Sequence, residues 1–405
     1  MENALMENLA AYAAKQQTIT IEDLRSMSSD TGKVFFKAFC SFLAGKYPEK
    51  DDTIVEGILN IKSHGQGIHI PETVKRKGIA AFPKGYLEEN QMPVHENLAQ
   101  VKILHNEKAF PIETFFSRTT RNILLYAKEK GANCISKSYR MDKQVKEIHS
   151  TIDFLKLFER RTKQLEHIRK LDDKEVPLFP EIITFALEAP SVLFEAEKQK
   201  EQLVIALPGT LGNHAEKDHE QVFCYFNNEA IFANEMIKKG KKITILDIDA
   251  SFGNGTYHLL LGKQNITLMG IQVNPEVDPT LYERDALTQK NSFQHNLELG
   301  TNGKTYLEVL KEALKKIPEH TDILLITGGV NQYLYDSCGL LCVEAQYFEK
   351  IGKAIAEAAK DIPKIILTQA GGFEKDSHIL FLDLASGIQK NLGGKQTWHT
   401  NKAQK

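Results

Sequence analysis

From Val101 onward, short compact apolar runs alternate with stretches of helical period, and this alternation constrains the fold more than any other feature of the chain. A strand covered on both faces reads as an uninterrupted apolar run, and such runs separated by amphipathic helices are the pattern of a parallel sheet with helices on both sides. Strands are expected at Val101–Leu104, Leu203–Leu207, Lys242–Ile248, Ile266–Val273, Asp322–Thr327 and Lys364–Thr368. Helices are expected near Thr119–Lys130, Lys143–Leu157, Ala230–Lys238, Lys304–Lys315 and Val343–Ala359. The expected fold class is α/β, with a mostly parallel central sheet over residues 101–405. Residues 1–100 lack the alternation. Their short amphipathic stretches, such as Val34–Leu43, and the Gly/His/Pro-containing segment Ser63–Pro71 predict a mainly helical accessory region with loops. The charged stretch Glu159–Glu175 suits a solvated helix or loop, or an interaction surface.

Composition narrows the functional classes. The 405 residues are 42% hydrophobic, enough for a large core, and Lys plus Arg total 51 against 53 for Asp plus Glu. That balance lacks the basic footprint of a nucleic-acid binder, so no nucleic-acid partner is expected. The five cysteines, at 40, 134, 224, 338 and 342, contain no C-x-x-C pair. They suit a reducing compartment and predict neither a disulfide framework nor a cysteine zinc site. No run is long enough to span a bilayer, and Met1–Lys15 reads as an interrupted helical pattern rather than a signal peptide. The expected location is cytoplasmic, or outside the cell by a specialised secretion system, with no membrane partner.

Ligands of a parallel sheet bind beyond the carboxyl ends of its strands, and four loops there carry suggestive residues. They are Pro208–Ala215, Asp247–Thr256, Thr327–Tyr333 and Gln369–Phe373. Taken alone, Ile243–Gly255 is a strand entering a turn with Gly253 and Gly255 and then a helix, which an ordinary tight turn or a nucleotide or S-adenosylmethionine site could use. Asp249 and Ser251 occupy the places where close-approach glycines of such a site should fall.

Taken together, the loops resemble the histone deacetylase family of zinc-dependent deacetylases. Asp247–Thr256 resembles D-x-D-x-H-H-G-N-G-T, Pro208-Gly209 with Asn213-His214-Ala215 resembles P-G-H-H-A, and Val222–Asn228 resembles G-F-C-x-F-N-N. Thr327–Gly339 resembles S-A-G-F-D-x-H followed by D-x-x-G, and Ala370–Phe373 resembles E-G-G-Y. Upstream, Ile148-His149-Ser150 with Phe154-Leu155 resembles V-H-S and F-L, and Arg118–Ile123 sits where R-P-E-R-L would be. Order and spacing hold from about Val101 to Gly393, and the resemblance implies an arginase/deacetylase-like fold.

The resemblance also implies a zinc site, whose three ligand positions fall on Asp249, Ser251 and Asn331. Ser251 offers a hydroxyl where an imidazole is expected and Asn331 an amide where a carboxylate is expected, so zinc is not expected to bind. The tandem histidines of proton transfer fall on Asn213 and His214, and the oxyanion-stabilising tyrosine on Phe373, which has no donor. Phe223 and Gly372 fall on the pocket wall, where Val222 adds a side chain in place of a glycine. A structural potassium ion is implied at Asp247, Asp249 and Gly270, the last lacking the hydroxyl of the family's serine.

Other candidates have ordinary readings. His258 can reach a metal or cap a helix, His64 and His69 can be half of a metal site or loop residues, and Cys338 and Cys342 suit buried structural thiols. His214, Ser251 and Asp247 could in principle form a nucleophilic triad. Three functions are therefore expected to compete. The first is a catalytically silent deacetylase-fold pseudoenzyme that binds a protein partner or small ligand. The second is a divergent metal-dependent amidohydrolase acting on acetylated lysine or amines, and the third is a nucleotide or S-adenosylmethionine binder.

Overall fold

The computed structural model describes residues 92–106, 115–149, 182–220, 223–273, 291–297, 301–334, 336 and 341–392. The segments Val34–Leu43, Ser63–Pro71 and Glu159–Glu175 lie outside the described residues, as do Val222, His64, His69, Cys40 and Cys338.

One sheet of eight strands organises the fold: β1 (Lys102–His105), β2 (Asn133–Ser136), β3 (Leu203–Leu207), β4 (Ile243–Asp247), β5 (Ile266–Val273), β6 (Ser292–Leu297), β7 (Ile323–Gly328) and β8 (Lys364–Gln369). Their order is β2-β1-β3-β8-β7-β4-β5-β6, and every neighbouring pair is parallel. All six expected strands form. β2 and β6 carried no apolar run to announce them, because each is an edge strand with exposed or half-exposed polar residues such as Asn133, Gln294 and His295. Edge strands need no second apolar face.

The helices are α1 (Phe115–Glu129), α2 (Asp142–Ile148), α3 (Ile182–Glu188), α4 (Ser191–Glu197), α5 (Asn228–Lys238), α6 (Asn254–Leu260), α7 (Gly303–Leu314), α8 (Tyr347–Ala359) and α9 (Ser377–Asn391). Strand parity divides the core into two layers. Leu203, Ile205 and Leu207 of β3 and Leu324 and Ile326 of β7 pack with α1, α7, α8 and α9, whereas Val204, Ala206, Ile323 and Leu325 pack with α2 to α6. The expected helix at Lys143–Leu157 corresponds to α2, and its residues after His149 lie outside the described ones. α9 escapes a periodicity search because Leu380 to Ile388 are buried around the whole helix, leaving no polar stripe.

The chain passes from β3 to β4 while β8 and β7 are inserted between them. The carboxyl ends of β3, β8, β7 and β4 therefore stand side by side, and their loops converge on one place. Asn227 fixes the start of α5 by accepting the Ala230 N–H at 2.8 Å, and Asn302 fixes α7 by accepting the Thr305 N–H at 3.0 Å.

Candidate functional site

Asp249, in the loop after β4, is the hub of the four converging loops and is buried. Its Oδ1 accepts the Ser251 backbone N–H at 2.9 Å and the Asn331 Nδ2–H at 2.7 Å, and its Oδ2 accepts the Gly371 N–H at 2.6 Å. Asn331 is turned by its second bond, in which Oδ1 accepts the Ala250 N–H at 2.9 Å. Flipping that amide would set oxygen against carboxylate and NH₂ against N–H, so both neighbours fix its direction. Glycines keep the centre tight. A Cβ on Gly371 would lie 2.5 Å from Asn331 Nδ2, and one on Gly329 would lie 2.6 Å from the Asp249 Cα.

Beneath this hub Asp247 Oδ1 accepts the Asp249 N–H at 2.9 Å, and Oδ2 receives a long 3.5 Å bond from Asn213 Nδ2. Burial first, then the charge of Asp249, pushes the Asp247 carboxyl well above the usual carboxylate range. Asn213 Oδ1 in turn accepts the Cys224 thiol at 3.7 Å. His214 belongs to a different chain of bonds. Its Nδ1–H meets Asn254 Oδ1 at 2.9 Å, Asn254 Nδ2 donates to Glu216 Oε1 at 2.6 Å, and His258 Nδ1 lies 2.8 Å from both Glu216 oxygens.

The Ser251–His214–Asp247 triad, which the sequence allowed only in principle, lacks its second link, because the His214 Nδ1–H is directed at Asn254 rather than Asp247, and His258 Nδ1 faces Glu216. Glu216 itself was not singled out from sequence, although it follows His214 by two residues. A buried acid becomes recognisable only when its partners arrive from α6.

The pocket aromatics meet directly. Phe223 and Phe373 have ring centroids 5.6 Å apart, and Phe223 takes the positive φ of 62°, which is unusual for a bulky side chain. The Phe373 N–H donates to Asp336 Oδ2 at 2.9 Å, and Gly372 O accepts the Thr119 hydroxyl at 3.0 Å. Val222 lies outside the described residues.

The close approach permitted at Gly253 and Gly255 is to protein. A Cβ would lie 2.3 Å from Asp247 Oδ2 at the first and 2.3 Å from the Ala215 carbonyl oxygen at the second. Neither glycine leaves its Cα facing room for a phosphate.

Donor chemistry decides which metals these residues suit. Around Asp249 the nearest groups are three N–H donors, which cannot ligate, and among the described residues no cluster of three or more His, Cys, Asp or Glu side chains is placed to hold a metal. The set does not fit zinc. At Asp247 and Gly270, where the resemblance implies a potassium ion, the fit is better. Gly270 pairs with Asp247 across β4 and β5, and a Cβ there would lie 2.3 Å from Gln294 Oε1 and 2.7 Å from Gln272 Oε1. Amide oxygens thus crowd the place of the missing hydroxyl, and oxygen donors suit a hard cation.

Fold and site together define an arginase/deacetylase-like protein. The sequence matches the histone deacetylase domain over residues 105–383, and the chain belongs to that family. It is 25% identical to acetylpolyamine amidohydrolase 2 of Pseudomonas aeruginosa over 36% of this chain and 45% of that protein. A probable deacetylase of Archaeoglobus fulgidus is 25% identical over 52% of this chain and 59% of its own length. Histone deacetylase 18 of Arabidopsis thaliana is 27% identical over 47% and 30%. The chain thus spans about half the length of the curated relatives it matches, or less. Among solved structures, acetylpolyamine aminohydrolase from Burkholderia pseudomallei superposes with a TM-score of 0.58 at 16% identity, covering 72% of this chain and 99% of that one. An HDAC homologue from Aquifex aeolicus gives 0.56 at 18% identity, covering 72% and 83%. Among the described residues no helix is long and apolar enough to cross a membrane.

Proposed function

We propose that this chain is a histone-deacetylase-fold pseudoenzyme, in which the family's metal centre has become a hydrogen-bonded structural hub and the domain serves to bind a protein partner or small ligand. Asp249, Ser251 and Asn331 take the three zinc positions, Asn213 and His214 those of the tandem histidines, and Phe373 that of the oxyanion donor. The supporting observation is the Asn331 amide, which directs N–H rather than a lone pair at Asp249 at 2.7 Å. Losing a residue that merely supports a ligand costs roughly 10 to 100-fold in metal affinity or activity, and losing one oxyanion donor roughly 10² to 10³ in rate. Two altered ligand positions and a missing donor together carry the site below useful hydrolysis. Relatives named as acetylpolyamine amidohydrolases make acetylated amines the first small ligands to test.

One observation favours the alternative of a divergent amidohydrolase: His214 keeps an imidazole held by Asn254, Glu216 and His258, as a general base would be. Elemental analysis of protein purified from zinc- and iron-supplemented medium, paired with hydrolysis of an acetyl-lysine peptide and an acetylated polyamine, separates the two. The pseudoenzyme reading expects metal far below one equivalent and no turnover. One equivalent of zinc or iron, with turnover abolished by Asp249→Ala, would overturn it.

A further inference from the structure

Residues 92–98 form an irregular strap, with every third side chain turned inward. Met92 packs against the core, His95 and Leu98 are buried, and Val94 between them is 84% exposed. The strap is tied at its far end, where the Leu98 N–H donates to the Lys130 carbonyl at 2.8 Å beyond the end of α1. Its other two anchors fall on the loops of the pocket. Met92 Sδ accepts the Tyr333 hydroxyl at 3.5 Å, and Tyr333 follows Asn331 by two residues in the loop after β7. His95 Nε2–H donates to the Ile379 carbonyl at 3.3 Å in the first turn of α9, just after the loop that carries Phe373.

Aromatic contacts reinforce the second anchor. The His95 ring stands edge-on to Tyr126 of α1 at 6.0 Å, and Tyr126 stands edge-on to His378 of α9 at 5.6 Å. The two anchored loops are also bonded to each other. The Val330 N–H donates to Gly371 O at 2.7 Å, and Asp336, whose N–H bonds to Tyr333 O at 2.9 Å, accepts the Phe373 N–H at 2.9 Å. Glu374 is held by Ser377 Oγ at 3.0 Å, so Phe373 is braced from both sides.

The geometry points to the strap as a clamp: Met92 and His95 hold the loops after β7 and β8 together and thereby keep Phe373 closed against Phe223. Short irregular segments with few bonds open more readily than strands, so this clamp can release without disturbing the sheet. It is also the stretch that joins residues 1–91 to the sheet. The inference is independent of whether the site hydrolyses or only binds, because it concerns the position of the loops.

Hydrogen exchange of the full-length chain, read by mass spectrometry, tests it. Met92→Ala and His95→Ala are expected to speed exchange several-fold in peptides covering 329–334 and 370–379, with β3 and β4 unchanged and Val94→Ala behaving as wild type. Acceleration confined to residues 92–100 would overturn the clamp. Should Met92→Ala loosen the whole sheet by leaving a cavity, Met92→Leu decides, since it keeps the volume and removes only the sulfur acceptor. Faster exchange at 329–334 in that variant supports the clamp, and unchanged exchange there sinks it.

Discussion

Asn331 donates its Nδ2–H to the Oδ1 of Asp249 at 2.7 Å, in the buried centre of four converging loops. The bond joins two residues 82 positions apart and takes one of the lone pairs of the carboxylate. Replacing Asn331 by Asp would leave the acceptor for Ala250 in place but set two buried carboxyls within hydrogen-bond reach, so one must hold a proton. Asn331→Asp is expected to cost roughly 2–4 kcal/mol at pH 8, and less at pH 5. Urea unfolding at the two pH values measures it. In the double variant Ser251→His/Asn331→Asp, added zinc is expected to raise the Tm, and in the wild type it is not.

Gly255 gives a prediction whose sign discriminates between two roles. It lies in the first turn of α6, where helix propensity alone makes Gly→Ala stabilising, by at most about 1 kcal/mol. Its missing Cβ would, however, lie 2.3 Å from a backbone oxygen of the loop carrying His214. Gly255→Ala is therefore expected to destabilise by roughly 1–3 kcal/mol. A more stable variant in thermal unfolding would mean that the glycine is not there for chain-to-chain packing.

His149 is buried between two backbone groups, its Nδ1–H donating to Glu216 O at 2.7 Å and its Nε2 accepting the Asn227 N–H at 3.0 Å. Burial holds its pKa down at about 4. Between its unfolded value near 6.5 and that folded value, only the unfolded chain takes the proton, so stability falls as pH drops through this window. The full loss is roughly 3 kcal/mol. Unfolding midpoints measured from pH 7.5 to 4 should show this slope, and His149→Phe should flatten it while lowering stability throughout.

Glu229 pulls in the opposite direction. It is buried under Gly212, its Oε2 has no hydrogen-bond partner among the described residues, and burial raises its pKa to about 7. The folded chain then holds the extra proton between about pH 4.5 and 7, so stability falls as pH rises through that range and is flat above it. Glu229→Gln is expected to stabilise the protein at pH 8, by up to roughly 3 kcal/mol, and much less at pH 4.5. Equal effects at both pH values would show that the carboxyl does not titrate in this range.

Much of the sheet was legible in the chain, because β3, β4, β5, β7 and β8 are covered on both faces and are therefore mostly apolar. β2, β6 and α9 were not, for opposite reasons: the strands face solvent at the edges and the helix faces protein on all sides, so none carries a contrast between two faces. The site was legible only as a set of residue types in order. The family resemblance implied that a carboxylate, a hydroxyl and an amide fall on the metal-ligand positions, since residue identity and order can be compared along the chain alone. It could not say which way the Asn331 amide points, that Phe223 and Phe373 touch, or that His214 is held through Asn254, Glu216 and His258. Those depend on groups brought together from loops after four different strands and from the helices that follow them, and hydrogen-bond direction is set by neighbours in space rather than neighbours in sequence.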